Sequence, residues 1–226
     1  MNNFYVCFIC ILFFLNSCAP SRFVKPLAKN EKVISASFGG PMIVFAGAPI
    51  PIPFTTIGYA QGITSKVTAF GNLHGTSGLF GNLQTDIGST IQIYKKEEVF
   101  GFSVSPILQT AYNLRNKTGL RFWPSCDLNF YHHLKQKSSY FYSGINCWLE
   151  LATKKAFGEK LNQHLIPNMQ IGFVCFYNKW RHQFQLSYFG IGIANQPGVV
   201  GYIGVSGKGA LGFHYAIIRT LKWKKD

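Results

Sequence analysis

Four sets of side chains in this 226-residue sequence are of types that do chemistry. His74-Gly75-Thr76-Ser77 and His214 bring imidazoles near hydroxyls, the groups used for acyl transfer by a serine nucleophile and a histidine base. No Gly-x-Ser-x-Gly turn accompanies them to lift a hydroxyl into an attacking position, so no catalytic residue is assigned. Adjacent His132 and His133 point to opposite faces of an extended chain and make a poor chelate for one metal. Cys126, Cys147 and Cys175 have no Cys-x-x-Cys spacing, which suggests neither a zinc site nor a disulfide framework. Neither a metal nor a cofactor is therefore expected. The fourth set is Asp86, Arg121, Asp127 and Glu150. They lie inside long segments otherwise built of apolar and amide or hydroxyl residues. Buried charge is costly unless paired, so these four are expected to form a polar network in an interior. That network would be a constriction that selects solutes, or a hydrogen-bonded plug of side chains.

The elements that must position them are strands. After about residue 30 the chain alternates apolar and polar residues with period two, in segments longer than the 5–6 residues usual for a sandwich. The segments are 31–39, 53–61, 65–75, 79–94, 101–113, 118–133, 139–152, 164–176, 179–190 and 208–220. In 101–113, Phe102, Val104, Pro106 and Leu108 share one face, opposite Ser103, Ser105, Ile107 and Gln109. In 118–133, Phe122, Cys126, Leu128 and Phe130 oppose Arg121, Ser125, Asp127 and Asn129. The polar faces carry Gln, Asn, Ser and Thr more than Lys and Glu, as a crowded polar lumen would. The pattern predicts an all-β, up-and-down antiparallel β-barrel of about ten strands (8–12) over residues 31–220. A soluble barrel with the apolar parity turned inward alternates in the same way. The three cysteines take the apolar parity and read as small hydrophobes.

The N-terminus adds an address. Residues 4–15 read FYVCFICILFFL, too short to cross a bilayer as a helix but suited to the core of a signal peptide. Leu15-Asn16-Ser17-Cys18 follows and resembles the lipobox of bacterial lipoproteins. The resemblance implies cleavage before Cys18 and its acylation, which would anchor the chain through several acyl groups. An ordinary signal peptide, with Cys18 incidental, fits the same run. The expected organisation is a signal peptide at 1–17, a periplasmic linker at 18–30, the barrel at 31–220 and a basic tail at 221–226.

With 22 Lys and Arg against 8 Asp and Glu, the chain first suggests nucleic acid. Strand order suggests otherwise: 13 basic residues fall at the end holding both chain termini and 6 at the other. Such a rim suits anionic headgroups, so membrane lipids are the expected partner and nucleic acid is not. Segments 39–53 and 189–207, on the opposite side, are apolar and offer a docking surface for a larger complex. Over most of its length the chain resembles bacterial outer-membrane β-barrels, and with its lipobox it is similar to outer-membrane lipoproteins of the Bacteroidota. The resemblance implies an outer-membrane location with the N-terminus anchored on the periplasmic side. It implies a structural or accessory role or a narrow pore, and no enzyme. Two alternatives remain: a periplasmic, lipocalin-like lipoprotein carrying an apolar ligand, and a lipid-modifying enzyme.

Overall fold

The computed structural model describes residues 23–97, 99–115, 119–134, 139–153, 161, 163–195 and 201–221. The signal peptide, Cys18 and residues 222–226 of the basic tail lie outside them. Eleven strands and one short helix follow in order: β1 Lys32–Phe45, β2 Ala48–Pro51, β3 Phe54–Gly62, β4 Val67–His74, α1 Gly75–Leu79, β5 Asn82–Lys96, β6 Phe100–Asn113, β7 Arg121–His133, β8 Tyr140–Leu149, β9 Leu165–Tyr177, β10 Trp180–Ala194 and β11 Lys208–Thr220. From β3 to β11 each strand pairs antiparallel with the next, and β1 pairs with β3. β11 then returns to β1, from Val33 opposite Thr220 to Pro41 opposite Gly212. The result is a closed ten-strand antiparallel barrel with no free edge, the solution that satisfies every main-chain group without water. The first strand begins and the last strand ends at one rim, the termini end; the opposite rim is the far end.

The strand outside the barrel is β2. The sequence pattern ends the first strand at 39, whereas β1 runs on to Phe45 and folds back on β2, with Met42 opposite Pro51 and Phe45 opposite Ala48. Ala46 and Gly47 both have positive φ, 50° and 83°, the geometry of a two-residue hairpin turn. The apolar segment at 39–53 is thus a hairpin rising above the far end. Where it leaves the wall, Gly39 has φ 132° and lies so close to β11 that a Cβ would come within 2.2 Å of the Phe213 carbonyl oxygen. Only glycine fits there.

The period-two alternation sets the two faces of the wall. Each of the ten barrel strands exposes large apolar side chains: Ile34, Ile57, Leu73, Ile87, Leu108, Phe130, Ile145, Ile171, Leu186 and Leu211 are examples, one per strand. Between them the same strands turn Thr68, Asp86, Ser105, Asn129, Gln170 and Gln185 inward, where all six are buried. The arrangement reverses that of a soluble barrel, whose apolar face is inside. Outward aromatics gather toward the termini end, where the Phe141 and Phe173 rings meet tilted at 4.7 Å and Phe100 bridges Tyr94 and Phe130. Cys126 and Cys147 face each other across β7 and β8 as free thiols.

One part of the interior is apolar, and its source is the segment expected to be a linker. Phe23 and Leu27 are buried with Val33, Ala60, Phe70 and Ile107 inside the wall, Val24 is buried with Tyr131, Tyr140, Tyr142 and Val174, and Phe23 packs on Phe70 with ring centroids 5.9 Å apart. Residues 23–30 therefore cross the termini end of the lumen as a plug before the chain enters β1.

Candidate functional site

The candidate site is the lumen. Every strand except β2 contributes inward residues to it, because successive residues of a strand alternate faces and the barrel closes the polar face on itself. Its contents fall into three layers.

At the termini end, hydroxyls on the wall serve the main chain of the plug. The Leu27 N–H donates to Thr68 Oγ1 at 2.7 Å, Thr90 Oγ1 donates to the Phe23 carbonyl at 2.7 Å, and Ser103 Oγ donates to the Val24 carbonyl. Lys25 Nζ donates to His133 Nε2 at 3.3 Å, and Arg181 pairs with Glu31 just before β1. A plug of irregular chain is tolerated at membrane depth only where its polar groups are satisfied by protein, which these contacts do.

In the middle, amides and phenols form a continuous lining. Gln183 donates to the Tyr142 hydroxyl and that hydroxyl to Gln185, both at 2.8 Å; Gln170 donates to Asn129 at 2.9 Å, and Tyr131 donates to Gln92. Asp86 is wholly buried and lies 2.9 Å from His74 Nε2, with His74 itself 3% exposed.

Toward the far end a chain of amides runs to the second buried carboxylate. Asn168 Nδ2 donates to Asn146 Oδ1 at 2.7 Å, and Asn146 Nδ2 donates to Asp127 Oδ1. The Gly190 N–H holds the free end of this chain through Asn168 Oδ1 at 2.8 Å. Above it, Trp123 Nε1 and the Ala152 N–H both donate to the Glu150 carboxylate at 2.8 Å, and Trp123 meets Trp148 edge-on.

The four charges singled out in the sequence thus occupy different places. Asp86 and Asp127 are buried in the lumen, on β5 and β7 with β6 between them. Glu150 is half-buried just beyond β8, and Arg121 is exposed at the first residue of β7. The buried carboxylates meet an imidazole and an amide chain where an arginine was expected. Residues that the pattern did not mark include His74 as the partner of Asp86, and Phe23, Val24 and Leu27 of the plug. The run Phe23-Val24-Lys25-Pro26-Leu27 does carry a signal: three large apolar residues in a segment that reads as a polar linker. Among the described residues no cluster of three or more His, Cys, Asp or Glu side chains is placed to hold a metal.

No protein-family model and no curated protein matches the chain. Among solved structures it is similar to the NanC porin, at 8% identity and a TM-score of 0.48 over 84% of this chain and 100% of that one. It is also similar to an outer membrane channel from Pseudomonas putida F1, at 9% identity and a TM-score of 0.48 over 91% of this chain and 100% of that one. A third similarity is to the outer membrane protein OprG from Pseudomonas aeruginosa, at 8% identity and a TM-score of 0.27 over 87% and 96% of the two chains. The barrel itself rests on the strand pairing described above.

Proposed function

We propose that the protein is an outer-membrane β-barrel, anchored at its N-terminus by acylated Cys18, with a structural or accessory role and no catalytic one. The observation that carries this reading is the apolar belt on all ten barrel strands around a polar interior. Soluble proteins rarely expose contiguous apolar patches above a few hundred Å², and a belt on every strand suits hydrocarbon better than water. The lipocalin-like alternative needs the apolar parity to line a cavity, and that parity points outward. The lumen is filled by its own side chains and crossed by residues 23–30, which favours an accessory role over a narrow pore. The basic termini end suits anionic headgroups on the periplasmic side. At the far end Val44, Phe45, Ile50 and Val205 are exposed, and this apolar hairpin and its neighbouring loop fit contact with a larger complex in the same membrane.

Expression in a bacterium with a lipoprotein pathway tests the reading. Labelled palmitate should be incorporated into the wild type and not into Cys18→Ala, and both proteins should stay with the outer membrane until detergent is added. A Cys18→Ala protein freely soluble without detergent would overturn the membrane-spanning assignment. In planar bilayers the purified wild type should show no steady open-channel current.

A further inference from the structure

The far-end layer of the lumen contains a small pocket that the proposed role leaves unused. Gln109, Ser125, Asp127, Asn146 and Trp148 line it, with Phe189 at one side, around a volume of about 30 Å³. Gln109, Ser125 and Trp148 are 6%, 7% and 4% exposed, and Gln109 Oε1, Ser125 Oγ and Trp148 Nε1 have no hydrogen-bond partner within the protein. They come from three adjacent strands, with Ser125 opposite Ile107 on one side and Trp148 on the other. Buried polar atoms are nearly always satisfied. Three unsatisfied atoms around one cavity point to a ligand.

Their chemistry narrows what that ligand is. Gln109 Oε1 accepts only, Trp148 Nε1 donates only, and the Ser125 hydroxyl does either. A cation would suit the two oxygens but leave the indole N–H opposed to positive charge. An anion would suit the indole and meet the Gln109 carbonyl and the Asp127 carboxylate. A hydroxyl group donates and accepts at once. The volume admits roughly two water-sized atoms, the size of two neighbouring hydroxyl oxygens and too small for a whole sugar ring. The planar amide of Asn146 and carboxylate of Asp127 add further partners, while Trp148 and Phe189 offer apolar surfaces to C–H groups.

We propose that this pocket holds the diol edge of a neutral sugar or polyol that enters from the far end. The plug at 23–30 crosses the other end, so the lumen works as a cup with one mouth.

Calorimetric titration of the purified full-length protein in detergent tests this, with glycerol, D-glucose and D-galactose as probes and KCl, choline chloride and sodium acetate as controls. At least one of the three polyols should bind saturably, and Gln109→Leu and Ser125→Ala should each weaken that binding about tenfold, the loss of one hydrogen bond. Circular dichroism checks that each variant keeps its strands. In the unmutated protein the same polyol should shift tryptophan emission, a readout that needs no variant to fold. Three results would overturn the proposal: no saturable binding of any polyol, saturable binding of a salt in its place, or polyol affinity unchanged in both variants.

Discussion

The Leu27 amide donates to Thr68 Oγ1 across 2.7 Å, joining the chain that precedes the first strand to the wall of the barrel it precedes. Thr68, Thr90 and Ser103 are all wholly buried, and each holds one main-chain group of residues 23–27. Leaving such a buried group unpaired costs about 1–3 kcal/mol. A Thr68→Val, Thr90→Val, Ser103→Ala variant should therefore release the plug while the strands stay paired. Limited proteolysis with thermolysin checks this: cleavage before the buried Val24 or Leu27 should be slow in the wild type and at least tenfold faster in the variant. Equal rates would show that the plug is held by its apolar side chains alone.

Steric release should reach the same state by another route. A Cβ on Gly62 would lie 1.9 Å from the Ala28 carbonyl oxygen, whereas one on Gly71 would meet nothing nearer than 3.7 Å. Gly62→Ala should then free the plug and raise single-channel conductance in planar bilayers. Gly71→Ala should behave as the wild type.

The outward belt makes a prediction that water and lipid answer differently. Ile87 and Ile171 are 65% and 59% exposed in the middle of β5 and β9. On a solvated surface, changing either to Arg would alter stability by about 0.5 kcal/mol or less. At the middle of a bilayer, the same change costs about 2–4 kcal/mol. Urea unfolding in lipid vesicles should show the larger loss for Ile87→Arg and Ile171→Arg, and almost none for Thr64→Arg in the turn at the termini end.

Inside the barrel, His74 and Asp86 depend on each other. Removing one member of a buried pair strands the other, at a cost on the order of 3 kcal/mol. Asp86→Leu alone should lower the urea midpoint clearly. The double change His74→Phe with Asp86→Leu should recover part of that loss, because neither member of the pair is then left buried without the other. A double variant as unstable as the single would point to a different role for the pair.

Much of the wall was legible in the sequence. Segment 101–113 alternates so regularly that its inward residues, Ser103, Ser105, Ile107 and Gln109, are the buried ones in β6. The pairing within the hairpin at 39–53 was not legible, because it depends on β1 continuing beyond the point where β3 begins. Burial of the mid-strand carboxylates Asp86 and Asp127 followed from their parity. Arg121 shares that parity but is the first residue of its strand, at the far rim, and is exposed.

The sequence by itself determined the strands and which face of each is apolar, since side-chain direction in an extended chain is a local property that repeats every two residues. Tertiary structure alone decided which inward residues meet. Leu27 finds Thr68 from 41 positions away and Val24 finds Ser103 from 79, distances no local pattern spans. Closure of β11 onto β1 sets how far each strand is staggered against the next, and the stagger decides that Asp86 meets an imidazole and Asp127 an amide. It also brings residues 23–30 to the termini end of the lumen, where a short apolar run becomes a plug.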